Sequence, residues 1–226
     1  MELSSRTVEI LRNFSTINPN IVVNGGNVLK TMSIAKNIVS RAEVDENFPN
    51  TFGIYNLSEF LSVLSLVDNP SIEFDDNYCT VSDGSGLSSV KYFYSDPEML
   101  AAPKKDIIMP ECEVKFVLTN ETLSKIKKAS SALDYDTISI RPSGNGSIEI
   151  RVIDVDNSTS NSYSILVEGE FPEETDFNFV MGVANMKLLG EDYHVSVSTK
   201  LISHFRSITS NTQYFIALEK SSTYGA

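Results

Sequence analysis

The 226-residue sequence predicts an α+β fold, built twice along the chain. Three observations carry this reading. Four helix candidates stand apart among short strands with alternating apolar residues. The strands are punctuated by turn residues, as antiparallel neighbours require. The order helix, about three strands, helix, about three strands occurs in each half, with corresponding helices offset by about 115 and 126 residues. Few amphipathic helices on one side of antiparallel sheet make an α+β domain.

The first helix covers about 5–16. Ser4 is its N-cap, Val8, Leu11 and Phe14 form its apolar stripe, and Arg6, Glu9 and Arg12 lie on the other side. Asn20–Asn24 and Val28–Ser33 flank Gly25-Gly26 and read as a hairpin. A second helix covers about 57–67, where Asn56 with Glu59 three residues later resembles a capping box. It is apolar almost all round, which predicts deep burial. Tyr78–Ser82 and Leu87–Ser95 are strands around Asp83-Gly84-Ser85-Gly86. From Asp96 to Cys112, three prolines and the polar Lys104-Lys105-Asp106 read as an extended connector. The expected domains are therefore 1–96 and 113–226, joined by 97–112.

The third helix is 120–133. Strands Thr137–Arg141 and Ser147–Asp154 follow around a turn at Gly144 to Gly146, then Ser162–Glu168 and Phe177–Met181. A short fourth helix from about Val183 to Leu189 is closed by Gly190. Tyr193–Thr199, Ser203–Ser207 and Gln213–Glu219 complete the strands.

Hydrophobic residues at 41% and charged residues at 21% are ordinary for a globular protein with a proper core. The two cysteines, Cys79 and Cys112, have no CxxC spacing and fit a reducing compartment. No apolar run resembles a signal peptide or spans a bilayer, so a soluble cytoplasmic protein is expected. Catalytic motifs are missing. His194 and His204 each sit in a strand pattern, and no nucleophile elbow, Walker loop or zinc-protease motif occurs. Asp154-Val155-Asp156-Asn157 opens like a calcium loop, but Ser158, Thr159 and Ile165 stand where the motif needs other residues. Asp75-Asp76 and Asp134 with Asp136 read as turn residues. No metal, cofactor or enzymatic activity is expected.

The net charge of −12 argues against indiscriminate binding to nucleic acid, because an acidic surface repels phosphates. The third helix reverses that sign locally. Leu123, Ile126, Ala129 and Leu133 fall on one stripe, while Lys125, Lys127 and Lys128 fan across the opposite face against the single acid Glu121. Arg6 and Arg12 on the first helix and Lys187 on the fourth add to the set. This is either a solvated lysine face or a phosphate-tracking surface. The spacing lacks base-reading signatures and interleaved aromatics, so the second reading favours sequence-blind contact with duplex backbone.

The chain resembles the DNA polymerase sliding clamps of T-even-type bacteriophages along nearly its full length. The resemblance is densest in Leu3-Ser4 with Leu11 to Asn18, in Tyr55-Asn56-Leu57 with Phe60-Leu61 and Leu64 to Val67, and in Ala102-Pro103. It continues through Asp136-Thr137-Ile138, Phe177-Asn178-Phe179 and Ala184 to Lys187, and closes with Ala217-Leu218-Glu219 and Ser222-Thr223. It implies a homotrimer with two similar clamp domains per subunit, antiparallel sheets outside and helices lining a central hole. Such a ring encircles duplex DNA, tethers the replicative polymerase, and is opened by a clamp-loader ATPase. On this resemblance Arg6, Arg12, Lys125, Lys127, Lys128 and Lys187 face the DNA. Partner peptides would enter a pocket at Ile107, Ile108, Met109 and Pro110 with Phe215 and Ala217. Tyr92 and Tyr94 on one domain and Tyr163, Ile165 and Val167 on the other are the expected subunit interface. Late-transcription factors are possible further partners, and the site of action is the cytoplasm of the infected bacterial host. Glu2 departs from the lysine usual in the family, which implies either a somewhat less basic hole or compensation by Arg6. A trimeric β-rich virion protein without a DNA role is the alternative.

Overall fold

A computed structural model describes residues 1–144, 146–157 and 159–225. Asn145 in the expected Gly144–Gly146 turn, Ser158 of the calcium-like loop, and Ala226 lie outside them. The chain divides into two compact units, Met1–Asp106 and Ile107–Ala226.

The first unit runs α1 (Ser5–Ile17), β1 (Ile21–Val23), β2 (Gly26–Met32), β3 (Ile38–Phe48), β4 (Phe52–Ile54), α2 (Leu57–Leu64), β5 (Ser71–Phe74), β6 (Tyr78–Ser82) and β7 (Ser89–Phe93). The second runs β8 (Val114–Leu118), α3 (Asn120–Leu133), β9 (Thr137–Pro142), β10 (Ser147–Ile153), β11 (Tyr163–Glu170), β12 (Phe177–Gly182), β13 (Tyr193–Ser198), β14 (Ile202–Ser207), β15 (Thr212–Ala217) and β16 (Thr223–Tyr224).

Every ladder within a unit is antiparallel, and the pairings repeat. β1 pairs with β4 as β9 pairs with β12, and β2 with β3 as β10 with β11. The series β5-β6-β7 corresponds to β13-β14-β15. Before α3, β8 pairs with β13 over a full strand. Before α1, the same connection shrinks to the single bridge Glu2↔Ser71.

The helices form where cap and stripe coincide. Ser4 Oγ accepts the Thr7 N–H at 3.2 Å and Asn56 Oδ1 accepts the Glu59 N–H at 3.2 Å. Helix α1 buries Thr7, Ile10, Leu11, Phe14 and Ile17, so its inner face sits one position round from the expected Val8 stripe. Thr7 is buried because its hydroxyl is used, donating to the Glu46 carboxylate. Helix α2 buries Leu57, Phe60, Leu61 and Leu64.

Three expectations are corrected. Gly25-Gly26 is not a hairpin turn: β1 pairs with β4 and β2 with β3, so the glycines turn a corner between two different ladders, with Gly26 at φ 107°. Strand β3 supplies the third strand before α2, which the sequence pattern did not locate because buried Ser40 and small Ala42 interrupt the inward row of Ile38 and Val44. The fourth helix is only a 3-10 turn, Val183–Asn185. Beyond it, the Leu189 N–H donates to Tyr214 Oη at 3.3 Å and the Leu189 carbonyl accepts from Tyr193 Oη at 2.9 Å. Those partners replace the intrahelical ladder while Leu188 and Leu189 are still buried.

Glu46 of β3 also accepts the Ser4 N–H, closing the start of α1. Partial burial pushes its pKa up, but the hydrogen bonds from Ser4 and Thr7 outweigh that and hold it below the ordinary 4.5. A depressed pKa means stability that is present above the ordinary value and lost as pH falls through the folded one. Glu46→Gln is therefore expected to lower the melting temperature at pH 7. It should also flatten the loss of stability on acidification below about pH 5, read by melting at a series of pH values. Ser4→Ala should cost about 1 kcal/mol at any pH.

Candidate nucleic-acid interface and open strand edges

Helix α3 starts at Thr119, whose Oγ1 accepts the Thr122 N–H at 3.1 Å, and the Asn120 N–H donates to Asp192 Oδ1 at 2.7 Å. Leu123 and Ile126 are buried against the sheet, while Ala129 and Leu133 are only half-buried. Opposite them, Lys125, Lys127 and Lys128 are exposed. Lys125 Nζ pairs with Glu121 Oε1 at 2.6 Å, which holds the Glu121 pKa down and the Lys125 pKa up. Lys127 and Lys128 border a shallow groove of about 380 Å³ with Asn120, Ser124, Ser131, Leu188 and Gly190. Although Lys127 is exposed, the protein crowding its ammonium lowers its pKa by desolvation. Lys187 is half-buried, in the loop after the 3-10 turn rather than on a helix.

On α1, Arg6 Nη1 pairs with Glu9 Oε2 at 2.8 Å, and Arg12 is exposed. The six expected cations thus divide. Arg6 and Lys125 are held by an acid on their own helix, and Arg12, Lys127 and Lys128 point outward with no ion pair among the described residues. Glu2 is exposed in its bridge with Ser71, ahead of α1.

The connector residues Ile107, Met109 and Pro110 are half-buried, whereas Ile108 is 91% exposed. Their C-terminal end is fixed within the second unit. Ser198 Oγ donates to the Glu111 carbonyl at 2.6 Å, and the Thr199 N–H and hydroxyl both bind the Glu113 carboxylate. Phe215 and Ala217 share one face of β15, and the His204 ring lies on Phe215 at 4.5 Å, nearly parallel. Burial pushes the His204 pKa down, opposed by its hydrogen bond to Gln213.

The expected interface side chains are engaged inside their own units. Tyr92 packs edge-on to Phe60 at 5.2 Å, and Tyr94 stacks on Phe52 at 4.7 Å. Tyr163, Ile165 and Val167 are the half-buried alternate residues of β11. What the two strands leave open is backbone, a property that no residue type announces in the sequence. In the first unit, the Tyr94 N–H donates to the Asn77 carbonyl and the Asp83 N–H to the Ser88 carbonyl. Even-numbered residues of β7 therefore face β6, and Ser89, Lys91 and Phe93 turn their N–H and C=O outward. In the second unit, the Ser143 N–H donates to the Ser147 carbonyl, so odd residues of β10 face β9 and even ones face β11. The register Ile148↔Val167 and Ile150↔Ile165 then leaves Ser164, Leu166 and Glu168 aimed away from β10. Strand β8 reaches β11 only at Gly169 and Glu170. Glycine is required there, because a Cβ would overlap Ile148 and lie 2.8 Å from the Lys115 carbonyl oxygen.

Compared with known proteins, the chain is 31% identical over 223 residues to the sliding clamp of Vibrio phage KVP40, covering 97% of this chain and 99% of that one. The chain belongs to the phage sliding clamp family. The clamp is also 29% identical to the sliding clamps of Escherichia phage RB69 and Enterobacteria phage T4, over 99% of each chain. The family described as "DNA polymerase processivity factor" matches residues 4–93, and "gp45 sliding clamp, C terminal" matches 115–220. Among solved structures, proliferating cellular nuclear antigen from Entamoeba histolytica superposes with a TM-score of 0.67 at 16% identity, over 94% of both chains. A. fulgidus PCNA, solved with the C-terminal region of FEN-1 bound, superposes with a TM-score of 0.70 at 13% identity, over 98% of both. These likenesses establish the clamp fold. The relatives support no virion structural role.

Proposed function

We propose that the clamp closes as a homotrimer around duplex DNA and tethers the replicative polymerase, without catalysing a reaction itself. The observation that carries this is the set of outward cations on α1 and α3 in a chain of net charge −12. With helices lining the hole and sheets outside, the acidic remainder discourages DNA elsewhere, and Arg12, Lys127 and Lys128 meet the phosphates. Contacts of this kind read no sequence and exchange as the ring moves, which suits sliding. Tethering acts through effective concentration, because a polymerase held on the ring rebinds the primer end before it diffuses away.

Ring closure would use the open edges, β7 of one protomer against β11 of the next. One antiparallel register lets every outward group meet a partner: Ser89 with Glu168, Lys91 with Leu166, and Phe93 with Ser164. Half-buried Val90, Tyr92 and Tyr94 then lie beside Val167, Ile165 and Tyr163, all on the helix side of the joint sheet. A clamp-loader ATPase opens one such joint in the cytoplasm of the infected host. Polymerase and late-transcription factors would insert apolar peptide ends near Ile107 to Pro110 and the Phe215–Ala217 face. The test is a mass by light scattering together with polymerase run length in the presence of loader and ATP. A trimer near 75 kDa, three chains of 25.0 kDa, that lengthens runs is expected. A monomer that never does so overturns the proposal.

A further inference from the structure

Each of the two helices assigned to the lining carries a single acid, and each acid is spent on a cation of the same helix. In α1, Glu9 is the one acidic residue and pairs with Arg6; in α3, Glu121 is the one acidic residue and pairs with Lys125. Apart from the cations, the other exposed polar positions of both helices are serine, threonine and asparagine. Exposed pairs three or four residues apart add little to the stability of a helix. Stability therefore gives little reason for their presence on helices that carry no other acid. On a surface that meets phosphates, their effect is larger.

We propose that Glu9 and Glu121 are internal stand-ins for phosphate, which occupy Arg6 and Lys125 and so hold the clamp's affinity for duplex backbone low. The inference rests on the proposal that α1 and α3 face the DNA, and it names the groups that set the strength of that contact. Each carboxylate offers its cation the same anionic oxygens that a backbone phosphate would offer. A passing phosphate must displace the carboxylate before Arg6 or Lys125 can release a counterion. Three cations per protomer then bind freely and two bind only in competition. The arrangement limits how tightly the ring grips any one position on the duplex, while Arg12, Lys127 and Lys128 still leave each helix net positive.

The test uses the full-length clamp carrying Glu9→Gln and Glu121→Gln, which keep shape and remove charge. A short linear duplex labelled for fluorescence anisotropy is the probe, titrated across a range of salt concentrations. Each freed cation that meets a phosphate is expected to tighten binding about tenfold near 0.1 M salt and to steepen the log–log salt slope by about 0.9. Diffusion of loaded clamps along DNA should slow in step. Melting temperatures should stay within a few degrees of the parent, separating a charge effect from a folding defect. Unchanged affinity and slope in the double variant, with binding lost on Lys127→Glu and Lys128→Glu, would overturn this inference and leave the lining assignment standing. If neither set alters DNA binding, the lining assignment itself fails.

Discussion

Reversing Arg12, Lys127 and Lys128 to glutamate is expected to abolish processive synthesis while the protein still folds and assembles. All three are exposed, none has an ion pair among the described residues, and none contributes to the buried faces of α1 or α3. Surface changes of this kind usually move stability by less than about 0.5 kcal/mol. The electrostatic effect is of a different size. Each protomer goes from three free cations to three anions, and losing three or more phosphate contacts weakens binding by about a thousandfold at moderate salt. Run length measured with polymerase, loader and ATP should fall to that of polymerase alone, while light scattering still gives the parent mass. A triple variant that kept long runs would show that these helices do not carry the DNA.

Replacing Lys91 with proline should produce a folded monomer. Proline removes one N–H and tolerates an edge position when that N–H is not needed by the sheet. The Lys91 N–H points away from β6, so the first unit does not use it; the proposed joint between protomers does. Tyr92→Pro is the internal control, because its backbone faces β6 and its loss should unfold the hairpin. The ring over which Lys91 Nζ sits, that of Tyr78 at 3.5 Å, belongs to the same unit, so losing the lysine costs that local contact in both states of assembly. A mass near the 25.0 kDa of one chain with a cooperative melt is the expected outcome. A trimer that survived Lys91→Pro would remove β7 from the interface.

The helices were legible in the sequence because cap residues and apolar spacing agree at Ser4 and Asn56. The paired topology of the two halves was legible from element order alone. Strand β3 was not, since Ser40 and the small Ala42 at buried positions blur the alternation that Ile38 and Val44 begin and end. The region from Met186 to Leu189 misled for the opposite reason: its apolar residues sit at helical spacing, but tyrosine hydroxyls from β13 and β15 take the backbone bonds of Leu189. For the candidate site, lysine spacing showed which side chains could share a face. It could not show that Arg6 and Lys125 are each paired with an acid of their own helix, nor that Lys91 and Leu166 turn their backbone groups outward. An open edge is a neighbour that is missing, and only the ladder reveals it.

The unequal starts of the two units have a consequence for how each breathes. The amides of β8 are locked between β13 and the end of β11, so releasing them means opening a sheet. In the first unit one bridge at Glu2 and the carboxylate of Glu46 do that work, and both can let go locally. Amide protons at the beginning of α1 should therefore exchange with solvent through small openings that leave the rest of the unit closed. The Arg6 end of α1 is then the softer of the two helix starts, and the lysine helix of the second unit begins on the stiffer one.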